Sequence, residues 1–344
     1  MLKISVVIPV YNTARWLRQC LDSALGQTLQ DIEVICVDDG STDGSAAILA
    51  EYAAKDGRIR VLRQENSGQG VARNRGLEIA QGEFAAFLDS DDLYPDENVL
   101  ADLLAAADGN GVDVCGGSLE ELLPNGAVRS SFRGFASALS FRDEGKVDFR
   151  DYAYDYGYYR FIYKLGLLRR FKIGFPNFRR FQDPPFMVRA LSSAGIFYVV
   201  SRPTYRYRVE MKSVDWWADE MLRAKDLLLG LADVAEQAVA LGLPQLSEVV
   251  LSQTCEQYAQ VVLDDEIVKA CRHEVMALCR AFRVRDVSSL LRLYYAGRTP
   301  LPYRRAKLFF MRRFGGLFRA CRFCSDMVHH GFPYAAGRFR GRAS

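Results

Sequence analysis

Two acidic clusters and one basic turn hold the side chains best suited to chemistry. Asp89-Ser90-Asp91-Asp92 follows the apolar run Phe84-Ala85-Ala86-Phe87-Leu88, so its carboxylates should emerge together at a strand end. Like charges so close repel one another. A hard divalent ion with oxygen ligands, Mg2+ or Mn2+, would remove that repulsion while holding a diphosphate. A solvated acidic turn opening a helix at Pro95 is the other reading of the same residues. Asp38-Asp39-Gly40-Ser41-Thr42-Asp43 also ends an apolar run. Ser41 or Asp43 suits a helix cap there, whereas the Asp38 and Asp39 carboxylates suit a base N–H or ribose hydroxyls. Asn66-Ser67-Gly68-Gln69-Gly70, with Ala72-Arg73-Asn74 close behind, combines a turn, a helix start and a cation. That combination brings backbone N–H groups and a guanidinium up to an anion. A surface loop with a solvated arginine is its structural alternative.

Other chemistries lack their residues. The chain carries no GxxxxGK[ST] phosphate loop, no HExxH helix and no GxSxG elbow, so nucleophilic hydrolase chemistry has no support. Cys20, Cys36 and Cys115 lie in apolar patterns and read as reduced core thiols; only Cys321 and Cys324, near His329 and His330, offer zinc-like spacing.

The elements that must position these clusters alternate. Ile4 to Val10, Glu33 to Val37, Ile59 to Leu62 and Phe84 to Leu88 have strand character. Trp16 to Leu25, Ser45 to Ala54, Val71 to Ala80 and Glu97 to Ala107 have helical spacing. Such a βαβα succession predicts a parallel sheet with helices on both faces, and ligands of such sheets bind beyond the carboxyl ends of the strands. Tyr11-Asn12, Asp38 to Asp43 and Asp89 to Asp92 all fall there. Residues 116 to 210, rich in Gly, Tyr and Phe, are expected to form short strands and loops; residues 215 to about 296 are expected to be helical.

These motifs, in this order, resemble the family 2 glycosyltransferases of the GT-A fold. The residues that carry the likeness are Val7-Ile8-Pro9-Val10-Tyr11-Asn12, Val37 to Asp43, Asn66-Ser67-Gly68 with Ala72-Arg73-Asn74, and Gly82 to Asp92. The resemblance implies an α/β, Rossmann-like, mixed and mainly parallel sheet flanked by helices, with a C-terminal helical extension. It implies a catalytic domain over 1–212, divided into a nucleotide-binding half at 1–115 and an acceptor half at 116–212. A helical extension over 213–300 and a basic tail over 301–344 complete the expected organisation. The implied reaction moves a sugar, with inversion, from a nucleotide diphosphate sugar, usually UDP-linked, to a hydroxyl of a glycan or lipid-linked saccharide. By the same resemblance Pro9, Val10, Tyr11 and Asp39 bind the base, with Asn12 and Asp38 beside them. Arg73 approaches base, ribose or phosphates, Asp89 reaches the ribose or the metal, and Asp91 ligates Mn2+ or Mg2+.

Further along, Gln182-Asp183-Pro184-Pro185 resembles the family's Glu-Asp segment at a helix start, with Gln182 in place of the first acid. Carried over, Asp183 is the general base. Its placement before Pro184 also suits a helix cap. A histidine that completes the metal shell in many relatives is missing near 210; Glu210 is the substitute oxygen ligand there, or Arg208 or Lys212 meets the diphosphate directly. Because of these two departures a catalytically inactive nucleotide-sugar or glycan-binding protein on the same scaffold is the alternative. A nucleotidyltransferase would need a Gly-rich basic loop where this chain has Val10-Tyr11-Asn12.

Charge is segregated along the chain. The whole carries +3, yet residues 302–344 hold ten Lys and Arg against the single acid Asp326, a net +9 that leaves −6 elsewhere. Phe310, Phe314, Leu317 and Cys321 recur at helical spacing opposite Arg305, Arg312 and Arg319, a pattern that suits an anionic membrane surface. No nucleic-acid recognition module accompanies the charge. The run Ile4 to Val10 is too short for a leader or span, so a cytosolic protein, peripheral on the membrane's inner face, is expected.

Overall fold

The computed structural model describes residues 2–132, 134–209, 220–257, 261–262 and 265–295. The expected alternation is present as β1 (Ile4–Val10), α1 (Ala14–Leu25), β2 (Ile32–Asp38), α2 (Ser45–Lys55), β3 (Ile59–Arg63), α3 (Gln69–Ile79), β4 (Phe84–Phe87) and α4 (Val99–Asn110). β1 and β2 are buried at every position. That is why they read as unbroken apolar runs and not as alternating ones, since helices cover both sheet faces.

The later half supplies β5 (Val114–Leu122), β6 (Val128–Arg129), β7 (Gly145–Asp148), α5 (Phe149–Tyr152), β8 (Phe161–Lys164), α6 (Leu165–Arg170), α7 (Asp183–Ala194) and β9 (Ile196–Arg208). All nine strands join one mixed sheet in the order β3-β2-β1-β4-β8-β5-β9-β7, with β6 paired to β5. β1, β2, β3 and β4 pair in parallel, β8 runs against both β4 and β5, and β5 lies parallel to β9. The sheet is therefore α/β and mixed, as expected.

One expectation fails in detail. Residues 116–210 were read as short strands, but β9 has 13 residues. Its apolar alternation is broken around Pro203, which removes a ladder donor, and the β5–β9 register shifts at Ser118 opposite that proline. Sequence patterning registers such an irregularity as an end, whereas the ladder continues through it.

α8 (Glu220–Ala240) and α9 (Pro244–Ser252) follow. Leu228 and Leu231 of α8 are fully buried. The chain divides into two compact units, Met1–Val250 and Leu251–Ser344, so α8 belongs with the sheet. Within the second unit, helices at Asp265–Ala270, Arg272–Ala281 and Val287–Tyr295 bury Val275, Leu278 and Leu290. No helix among the described residues is long and apolar enough to cross a membrane. Cys20, Cys36 and Cys115 are buried free thiols. The basic tail, Cys321, Cys324, His329, His330, Glu210 and Lys212 lie outside the described residues.

Candidate functional site

Parallel pairing brings the sequence-distant clusters to one edge. Val10 is in register with Asp38, and Val7 with Phe87, so Tyr11, Asp39 and Asp89 leave the sheet side by side. Pro9 and Val10 are buried within β1, while Tyr11 is 45% exposed at its tip. Asn12 adopts a left-handed backbone with φ of 51°. Its amide N–H donates to Ser41 Oγ at 3.1 Å, and its side-chain oxygen accepts from the Thr42 N–H at 2.8 Å. Asn12 thus ties the first motif to the second. Asp43 does cap, and more than one helix start: it accepts from the Ala14 and Ser45 N–H groups at 3.0 and 2.9 Å.

The two neighbouring acids of the second motif differ in surroundings. Asp39 is 2% exposed. Its Oδ1 accepts from Gln64 Nε2 and the Ser67 N–H, both at 2.8 Å, and its Oδ2 accepts from the Gly68 N–H at 2.9 Å. The carboxylate therefore shapes the 64–68 turn, where Gly68, with φ of 96°, takes a conformation costly for any side chain. Asp38 accepts from the Ser41 N–H through Oδ1, and its Oδ2 lies 3.5 Å from Arg63 Nε. An open cleft of about 470 Å3 adjoins them, lined by Gly40, Arg63, Gln64 and Glu65.

Arg73, expected near the ligand, is buried at 2% exposure between the Tyr158 and Phe175 rings. Its Nη2 pairs with Asp89 Oδ1 at 2.6 Å, while Nε and Nη1 have no acceptor among the described residues. Buried donors in that condition are rare in native folds. Asn74, next in sequence, serves the scaffold: it accepts from the Phe175 N–H at 2.8 Å and donates to the Phe175 carbonyl at 2.7 Å. That reciprocal pair clamps α3 to the segment leading into α7.

The three acids of the last cluster do not emerge together, contrary to expectation. Asp92 turns inward, accepting from Tyr205 Oη at 2.7 Å and from the Arg208 N–H at 2.8 Å. Burial first, and the Asp89 charge second, push its carboxyl up to about 8. The reason is β9, which passes beneath the turn and supplies both donors. Asp89 keeps part of its surface, and the Asp91 carbonyl accepts from Arg208 Nε at 2.9 Å. Arg208 also donates to Gln19 at 2.7 Å and lies 4.4 Å over the Trp16 ring. The resemblance offers Arg208 as a direct contact to the diphosphate; in the structure it braces the acidic turn against α1.

Among the described residues no three His, Cys, Asp or Glu side chains gather as a metal site. Mg2+ and Mn2+ nevertheless need only one or two carboxylates when phosphate oxygens and water supply the rest. Asp89, which keeps part of its surface, fits that smaller donor set, with half-buried Asp91 beside it in sequence; Asp92, turned inward, does not.

Asp183 is the first residue of α7, preceded by Gln182, whose side chain makes no capping hydrogen bond. Among the described residues no other group donates to its carboxylate. Burial pushes that carboxyl up to about 6, the Arg73 cation opposing the rise and the Asp89 charge adding to it. Asp183, Arg73 and Asp89 therefore share one electrostatic neighbourhood.

What holds Asp183 there is α8, a contribution the sequence reading missed. Asp226, buried on that helix, accepts from the Arg179 and Arg180 N–H groups at 2.8 and 3.2 Å. Phe181 has a left-handed backbone with φ of 58°, and it lies so close to α8 that a Cβ on Gly230 would meet its ring at 2.4 Å. Gly230→Ala is expected to destabilise the fold by about 1–3 kcal/mol through overpacking, read from urea unfolding, and to lower kcat with it. A lone Asp and a lone Gly inside a helical pattern carry no sequence signal of this grip.

Comparison with known proteins agrees with the geometry. The model of glycosyl transferase family 2 matches residues 5–165. The chain is 32% identical over 250 residues to the glycosyltransferase GlyG of Streptococcus pneumoniae, covering 70% of this chain and 82% of that one. It is 32% identical over 218 residues to the putative glycosyltransferase EpsH of Bacillus subtilis, covering 61% of this chain but only 62% of that relative's length. In fold it is similar to residues 1–349 of S. aureus TarS solved with UDP, with a TM-score of 0.68 and 24% identity over 90% of this chain and 89% of that one. With one shared edge gathering the three strand-end motifs and a relative matched over most of its length, the chain belongs to glycosyl transferase family 2.

Proposed function

We propose that the protein transfers a sugar from a UDP-linked donor to a hydroxyl of a glycan or lipid-linked saccharide, with inversion at the anomeric carbon. The observation that carries this reading is Asp183: a carboxylate that no other described residue engages, at a helix start, with its carboxyl at about 6 and within the field of the Arg73–Asp89 pair. A base with that proton affinity is ionised near neutral pH yet still attracts a proton. Asp183 takes the proton of the acceptor hydroxyl as its oxygen bonds to the anomeric carbon. The bond from that carbon to the diphosphate breaks in the same step, and the electron pair leaves with UDP. One displacement inverts the centre and needs no covalent enzyme intermediate.

Arg73, paired with Asp89 and buried between Tyr158 and Phe175, supplies a fixed positive charge toward the ligand's anionic side. Pro9, Val10, Tyr11, Asn12, Asp38 and Asp39 form the nucleotide end within residues 1–115, and 116–212 form the acceptor side. A Mn2+ or Mg2+ ion held by Asp91 and Asp89 would supply further neutralisation of the diphosphate. UDP as the nucleotide is supported by its presence in the TarS complex, a protein of the same fold. Tail residues 302–344 are the proposed contact with an anionic membrane surface.

The test is a panel of nucleotide sugars offered to the purified protein with Mn2+, with Mg2+ and with chelator, reading release of the nucleoside diphosphate. One UDP sugar is expected to be turned over, more slowly in chelator. Binding of donors without any release would favour the inactive, sugar-binding alternative instead.

A further inference from the structure

We propose that Tyr156 and Tyr207 form an aromatic wall for the flat face of a pyranose, so that the acceptor brings a cyclic sugar, not an open-chain polyol, to Asp183. The inference rests on the reading of Asp183 as proton acceptor. By residue type alone, the tyrosines of segment 152–159 suit sugar stacking and core packing equally. The structure separates them: Tyr154, Tyr158 and Tyr159 are buried, whereas Tyr156 is 37% exposed.

These rings form an organised stack. Tyr159 lies 4.1 Å from Tyr205 with planes 28° apart, and 6.4 Å from Tyr207 with planes 18° apart. Tyr156 stands edge-on to Tyr159 at 6.2 Å. Rigid buried rings thus back two rings that keep exposed surface, Tyr207 being half-buried. The same segment is fixed to the catalytic helix, since Tyr158 packs on Phe186 of α7 at 6.0 Å. Phe186 is three residues after Asp183, hence on the same helix face. Desolvation first raises the proton affinity of both phenols; Tyr207 adds to it at Tyr156, Asp92 and Asp89 add to it at Tyr207, and the Asp183 charge reaches both rings.

A wall of aromatic surface with one convergent carboxylate is how a protein orients an amphipathic ring. A pyranose presents a C–H face to such a surface and its hydroxyls at the rim, where one can reach the base. An open-chain polyol has no flat face and gains little from it.

The experiment is saturation-transfer NMR on the full chain with UDP present, using methyl β-D-glucopyranoside and ribitol as probes. Transfer to the pyranoside ring C–H protons is expected, with weak transfer to ribitol. Tyr156→Ala and Tyr207→Ala should each cut the pyranoside signal about fivefold, the loss of one aromatic contact, while Tyr156→Phe and Tyr207→Phe keep it. Tyr156 is exposed, so its alanine variant decides the matter even where Tyr207→Ala fails to fold. No pyranoside signal in the wild type, equal signals in the alanine variants, or a ribitol signal as strong would each overturn the proposal. UDP-induced melting shifts on the same samples report separately on the nucleotide-sugar reading: their absence would sink that reading and leave the wall to be judged by the pyranoside signal alone.

Discussion

Asp183→Asn is expected to lower kcat about 10^2- to 10^4-fold, the range for removing a positioned proton acceptor, while UDP affinity stays unchanged. Asparagine fills the same volume at the start of α7 but cannot take a proton. The pH behaviour gives a second readout. With the carboxyl at about 6, wild-type turnover should rise through that pH and level off above it; the variant should show no such limb. Stability should move the other way. The folded value of Asp183 lies above its ordinary 3.8, so the fold binds more protons than the unfolded chain between those values. The wild type therefore loses stability as pH rises from about 4 to about 6, and the variant does not. An Asn variant that is inactive yet no less stable above pH 6 marks a group kept for chemistry. Unchanged kcat would remove Asp183 from the reaction.

Arg73→Met is expected to cost about 3–5 kcal/mol of stability, because it strips the partner from a largely enclosed carboxylate. Methionine replaces the stem between Tyr158 and Phe175 but not the 2.6 Å pair with Asp89. Urea unfolding of the single variants and of Arg73→Met with Asp89→Asn closes a double-mutant cycle. The double variant should recover much of the loss, since a neutral amide tolerates the absence of the cation. If instead Arg73→Met alone unfolds at the wild-type midpoint, the pair has no structural weight.

Much of this arrangement was legible beforehand because it is written in local pattern. The four parallel strands announce themselves as apolar runs, and each ends in polar residues that can have only one destination. Asp38, Asp39 and Asp89 were placed at the right edge for that reason. Direction of side chains within a cluster was not legible. Asp91 and Asp92 are adjacent acids, and only the passage of β9 beneath the turn makes one of them a buried acceptor for Tyr205 and the Arg208 N–H. The roles of Asn74, Arg208 and Asp226 escaped for the same reason: each acts on a segment tens of residues away. Asp226 reaches back to residues 179 and 180, a pairing that leaves no periodic trace.

The hold of α8 on that segment bears on how chains of this kind can be recombined. Exchanging everything after β9 between two relatives would look like trading an accessory module, yet it would remove the latch that fixes residues 179–181. A chimaera cut there would inherit an intact parallel-strand edge and an Asp183 free to wander. Splices that carry α7 and α8 together keep the latch with its catch.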